Sequence, residues 1–149
     1  MRRAVAPLLV LALVLLTGCG RSDPEGDFGR PDRRLEGTSW RIQTLAGEPV
    51  LTPEGASETA TLTFKNGFAT WTIGCNGFDA RYSSRDDLLT LRPRARKRIG
   101  GCEAFERPIE TALGGQAMAF RLADRELVID TPRGALELRR TKFQPVRAR

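Results

Sequence analysis

A small, mainly β domain with one short helix, its antiparallel strands curled into a half-barrel or barrel-like sheet, is the fold class that this sequence predicts. Three observations carry the prediction. From Leu35 onward, apolar and polar residues alternate in short runs separated by turn-forming pairs. One stretch alone, Phe105, Ile109, Ala112 and Leu113, has helical spacing. The chain has 149 residues, and without its non-globular start about 110 remain, enough for one modest core.

The elements follow in order. Trp40 and Ile42 alternate with Arg41 and Gln43 in a first strand that Ala46-Gly47 closes. Residues 48–58, with Pro49, Pro53 and Gly55, read as a loop. Ala60, Leu62 and Phe64 alternate with threonines up to Asn66-Gly67, the strongest hairpin signal in the chain. The return strand puts Ala69, Trp71, Ile73 and Cys75 on one face, and Asn76-Gly77 breaks its period as a bulge or bend would. Phe78, Ala80 and Tyr82 then share a face opposite Asp79 and Arg81, and a turn over Ser84 to Asp87 leads to Leu89 and Leu91.

Gly100-Gly101-Cys102 precedes the helix, which is expected to end before Gly114-Gly115 and to hold Pro108 in its first turn, because in the interior it costs about 3 kcal/mol. Met118, Phe120 and Leu122, then Leu127 to Ile129, then Leu136 and Leu138 form the last strands, separated by turns at Asp124-Arg125 and Pro132-Arg133-Gly134. The count is about seven strands, and closing the sheet removes exposed edges. Trp40 and Trp71 lie on apolar faces and read as core rather than as the walls of a ligand pocket.

The start of the chain is of another kind. Residues 1–18 have the layout of a secretory signal, with Arg2 and Arg3 before an apolar run from Ala4 to Leu16. Leu16-Thr17-Gly18-Cys19 resembles a bacterial lipobox, which predicts cleavage before Cys19 and lipidation of its thiol; an uncleaved anchor with an incidental cysteine is the competing reading. Two or more acyl chains give lasting attachment. Localisation in the cell envelope follows, at the periplasmic face of the outer membrane if the cell has two membranes, because Gly20 rather than Asp comes next. Residues 19–34 then form a lipidated, Gly/Pro-rich tether spanning roughly 20 Å, residues 35–142 the domain, and residues 143–149 a basic tail. Loss of Arg2 and Arg3 with the leader lowers the formal net charge from +6 to +4.

Composition excludes much chemistry. The chain has no histidine, so Ser-His and Cys-His catalysis and His-ligated zinc are ruled out. No residue stands out as catalytic, no cluster has calcium-loop spacing, and neither cofactor nor metal is expected. The basic run Arg92, Arg94, Arg96, Lys97, Arg98 reads as a solvated loop or as a patch facing anionic head groups or an acidic partner. It lacks interleaved aromatics, and with an export signal present nucleic acid is a poor partner.

Of the three cysteines, Cys19 is assigned to lipid, leaving Cys75 and Cys102 in an oxidising compartment. A disulfide between them is the economical reading and would contribute about 3.5 kcal/mol by chain entropy. Free structural thiols and a reactive Cys75 are the alternatives, the latter without a histidine to activate it.

Leu35-Glu36-Gly37-Thr38-Ser39-Trp40, Ala60 to Phe64 followed by Gly67, Gly74-Cys75-Asn76 with Phe78 and Tyr82 beyond it, Cys102 before a helix, and Leu127-Val128-Ile129 together resemble the META domain family, HslJ-like envelope proteins. The resemblance covers about residues 35–141. It implies a compact β-rich domain with a helix, a link to stress tolerance and no established catalytic activity, so it transfers no catalytic residue. The chain departs from the family pattern in its short helix carrying Pro108.

The function expected is that of a lipid-anchored, non-enzymatic envelope protein, a monomer that binds another envelope protein or lipid. A barrel enclosing a small ligand, or a tethered inhibitor of a secreted hydrolase, are the alternatives. A basic inhibitor would start by repelling a basic lysozyme.

Overall fold

The computed structural model describes residues 30–54, 59–94 and 100–142. Nine strands and one helix follow one another as β1 (Thr38–Leu45), β2 (Glu48–Pro49), β3 (Thr61–Lys65), β4 (Phe68–Thr72), β5 (Gly77–Arg85), β6 (Leu88–Pro93), α1 (Glu103–Ala112), β7 (Ala117–Leu122), β8 (Glu126–Thr131) and β9 (Gly134–Thr141). All pairings are antiparallel, and β9 returns to pair with β1. Eight strands therefore close into a barrel, with β2 as an addition to β1. Closure leaves no long free edge.

Alternation fills the interior as expected. Trp40, Leu62, Phe64, Trp71, Tyr82, Leu89, Leu91 and Phe120 are all buried, as are Leu127 and Ile129 of β8 and Leu136 and Leu138 of β9. Phe64 meets Tyr82 edge to face at 4.9 Å, and Trp71 stacks on Phe78 at 5.7 Å. The indole N–H of Trp40 donates to Thr38 Oγ1 at 2.7 Å. That of Trp71 has no hydrogen-bond partner among the described residues.

Several expectations are corrected. The loop after the first strand begins with β2, because Ala46-Gly47 is a tight two-residue turn with φ of 54° and 83° that folds Glu48-Pro49 back onto Thr44 and Leu45. Pro49 fits there because an edge strand tolerates a missing N–H. The turn expected over Ser84 to Asp87 is only Asp86-Asp87: Arg85 pairs with Leu88, and Asp86 takes the left-handed φ of 55°. Pro108 lies inside α1 rather than in its first turn. The carbonyl that loses its helical donor is that of Ala104, an exposed residue.

Alternating connections give the barrel two distinct ends. One carries the turns at 66–67, 86–87 and 123–125 and the segment Arg30 to Gly37 by which the chain reaches β1. The other carries the 46–47 and 132–133 turns, the bend at 73–76 and α1. Eight residues of β1, inclined as barrel strands are, separate the ends by about 20 Å.

Candidate functional site

The first end is plugged by chain contiguous with β1. Leu35 is fully buried beneath the barrel, and Gly37, at φ 75°, donates its N–H to the Phe64 carbonyl at 2.8 Å. Glu36 accepts hydrogen bonds from the Tyr82 hydroxyl at 2.6 Å, from the Gly67 N–H at 3.3 Å and from the Asn66 N–H. Burial pushes the Glu36 carboxyl up, but these three donors outweigh it and hold the group below the ordinary carboxylate range. Burial and the bond to Glu36 together raise the Tyr82 hydroxyl well above its usual value. Outside this, Arg34 bonds Asp32 at 2.8 Å and Asp87 at 3.1 Å, with its guanidinium 5.2 Å from the Phe120 ring. The opening motif of the domain is thus a stopper.

The opposite end is closed by α1, which two unlike links hold down. Cys75 and Cys102 form a disulfide across 27 residues, with Cα atoms 6.0 Å apart. Cys102 is the residue before the helix and makes no side-chain cap. Next to the disulfide, Asn76 donates its backbone N–H to Glu106 Oε1 at 2.9 Å and its side-chain amide to both carboxylate oxygens, each at 2.9 Å. Asn76 is 7% exposed and Glu106 1%. A carboxylate buried to that degree survives only with such donors.

Here the sequence reading is corrected. Cys75 was expected on the core face with Ala69, Trp71 and Ile73, but β4 ends at Thr72 and Gly74, at φ 107°, turns the backbone over. Cys75 is exposed and Asn76 points inward. Glu106 was missed. Its signal was its spacing: Glu106, Ile109 and Leu113 share the apolar stripe of α1, and an acid on that stripe needs a buried partner. Cys75, Cys102 and Glu106 also lie within 4.8 Å of one another through their ligand atoms. With both sulfurs committed to the disulfide, a lone carboxylate remains, and that set does not hold a metal ion.

The helix covers its end of the barrel incompletely. A pocket of about 460 Å³ remains between α1 and the β1–β2 turn. Leu45, Val50, Phe105 and Ile109, all buried or partly buried, give it an apolar floor, and Pro108 and Leu51, the latter 68% exposed, also line it. Glu48 and Arg133 stand at its rim.

Of the other expected site residues, Trp40 is core, and Gly74 makes the bend just described. Arg92 and Arg94 are exposed at the end of β6, where Arg94 lies 3.6 Å from Asp79 and 5.5 Å from the Phe68 ring. Cys19, Arg96, Lys97 and Arg98 lie outside the described residues, as do the leader and the basic tail. Among the described residues no helix is long and apolar enough to cross a membrane.

The fold is similar to several solved structures. One protein solved by NMR is 16% identical, with a TM-score of 0.57 over 71% of this chain and 91% of its own. A second NMR structure, from Burkholderia xenovorans, is 19% identical, with a TM-score of 0.54 over 81% of this chain and 98% of its own. The crystal structure of a DUF4847 family protein from Bacteroides vulgatus is 13% identical, with a TM-score of 0.54 over 74% and 96%. At these identities the likeness shows the fold alone. No curated protein matches the chain. The family model described as META domain matches residues 33–143, a stretch holding the stopper, the Gly-Cys-Asn bend and the disulfide-tied helix, and the chain belongs to the META domain family.

Proposed function

We propose that this protein is a lipid-anchored envelope protein of non-catalytic, binding type that engages its partner through the α1 end of the barrel and thereby supports tolerance of envelope stress. The observation that carries the reading is the opposition of the two ends. The tether runs into Arg30 to Gly37 at the plugged end, while the open apolar pocket lies at the other. A domain held through Cys19 then turns its pocket away from the membrane that anchors it. The absence of histidine and of any assembled acid-base pair at the pocket supports binding rather than catalysis. The filled interior around Phe64, Trp71 and Phe120 favours the pocket over a ligand enclosed in the barrel.

The test uses the full chain exported in cells. Palmitate labelling is expected for the native protein and is lost in Cys19→Ser. A photo-cross-linking residue at Leu51 is expected to form adducts with an envelope component, and one at Asp124, exposed at the plugged end, is not. Adducts formed equally from both positions, or from Asp124 alone, would overturn the reading.

A further inference from the structure

The pocket beside α1 has a feature that sets its ligand chemistry. Its floor is apolar, yet its rim carries one charge of each sign, Glu48 from β2 and Arg133 from the β8–β9 turn. The two are brought to one rim because their turns touch. Ala46 donates its N–H to the Ala135 carbonyl at 2.8 Å, and a Cβ at Gly134 would lie 2.7 Å from the Cβ of Ala46. Glu48 and Arg133 are exposed, and the side chain of neither forms an ion pair or hydrogen bond with another described residue.

We infer that this pocket binds a neutral amphiphile, a molecule with an apolar body and an uncharged polar head, and that Glu48 and Arg133 select against charged heads. The inference rests on the binding role proposed above. A head group that is neutral but polar accepts a hydrogen bond from the Arg133 guanidinium and donates one to the Glu48 carboxylate. An anion gains Arg133 and is repelled by Glu48, and a cation meets the reverse, so neither recovers the water it gives up. The volume lies within the roughly 300–1,000 Å³ of small-molecule sites. A peptide added as a further strand is disfavoured, because Pro49 occupies half of the two-residue β2 and offers no N–H to a new neighbour.

The experiment titrates the full mature chain with N-phenyl-1-naphthylamine, a neutral apolar fluorophore, and displaces it with decanol, decanoate or decyltrimethylammonium below their micellar concentrations. Saturable dye binding is expected, weakened by Phe105→Ala and, in a variant at an exposed position, by Leu51→Ser. The ratios carry the charge argument, because comparison with decanol within each variant cancels general hydrophobicity. Glu48→Gln is expected to improve decanoate relative to decanol by about threefold, and Arg133→Gln to improve decyltrimethylammonium by about the same, the size of one exposed charge interaction. No saturable binding, or ratios unchanged in both rim variants, would overturn the inference. If Leu51 still cross-links to an envelope component in cells, the binding role itself stands; if neither result appears, both fall.

Discussion

The two ends of this barrel are shut by different means, and the difference explains why one of them is open to a ligand. At the plugged end the closure is continuous with β1: Leu35 enters the core, and Glu36 ties the 66–67 turn and Tyr82 through hydrogen bonds that span 31 and 46 residues of chain. At the other end the closure is a ten-residue helix brought from between β6 and β7. It is fastened at Cys102 and Glu106, both near its start. A local segment moulds itself to the opening it closes. A helix pinned at one edge covers what its length allows, and the remainder is the pocket.

The fastening at α1 is where the largest effects are expected. Asn76→Ala removes both side-chain amide bonds to the buried Glu106 carboxylate, keeping only the backbone N–H of residue 76, and should cost about 3 kcal/mol in denaturant unfolding. Glu106→Gln keeps the shape and should cost less. A small loss in Asn76→Ala would mean that α1 is held mainly by its apolar face. Removing the second fastening, in Cys75→Ala/Cys102→Ala or by reductant on the native chain, should cost about 3.5 kcal/mol. The double variant should be indifferent to reductant. Unequal losses from mutation and reduction would show that the two cysteines do more than cross-link.

At the plugged end the effects should be smaller and should depend on pH. The Glu36 carboxyl is held below its ordinary value of 4.5 in the folded protein, so the folded state favours its ionised form. The stability it contributes is fully present above that ordinary value and is lost as pH falls through the lower, folded one. Tyr82→Phe should remove about 1–2 kcal/mol at neutral pH and shrink this acid-side loss, and Glu36→Gln should shrink it further. Asp32, also held low against its own burial by Arg34, keeps part of the slope. An acid-side profile unchanged in both variants would contradict the stopper as described.

Much of this architecture was legible in the sequence. Two-residue periodicity marked the interior of every long strand, Asn66-Gly67 marked its hairpin, and the stripe of Phe105, Ile109, Ala112 and Leu113 marked the helix face. Tertiary context decided the rest. Nothing local distinguishes Cys75 on a continuing strand from Cys75 on an outward bend, because glycine at 74 permits either and the helix 27 residues on selects one. Glu106 read alone is an ordinary helix acid, and its partner is 30 residues away. The pocket joins two turns and a helix from three separate parts of the chain, so no window of sequence contains it.

Hydrogen exchange of the full mature chain with and without N-phenyl-1-naphthylamine shows which end of the barrel takes the ligand. Slowed exchange is expected in residues 45–51 and in α1, with none at 35–38 or 66–67. Protection confined to the plugged end, or to strand interiors around Phe64 and Phe120 with α1 unchanged, would contradict it.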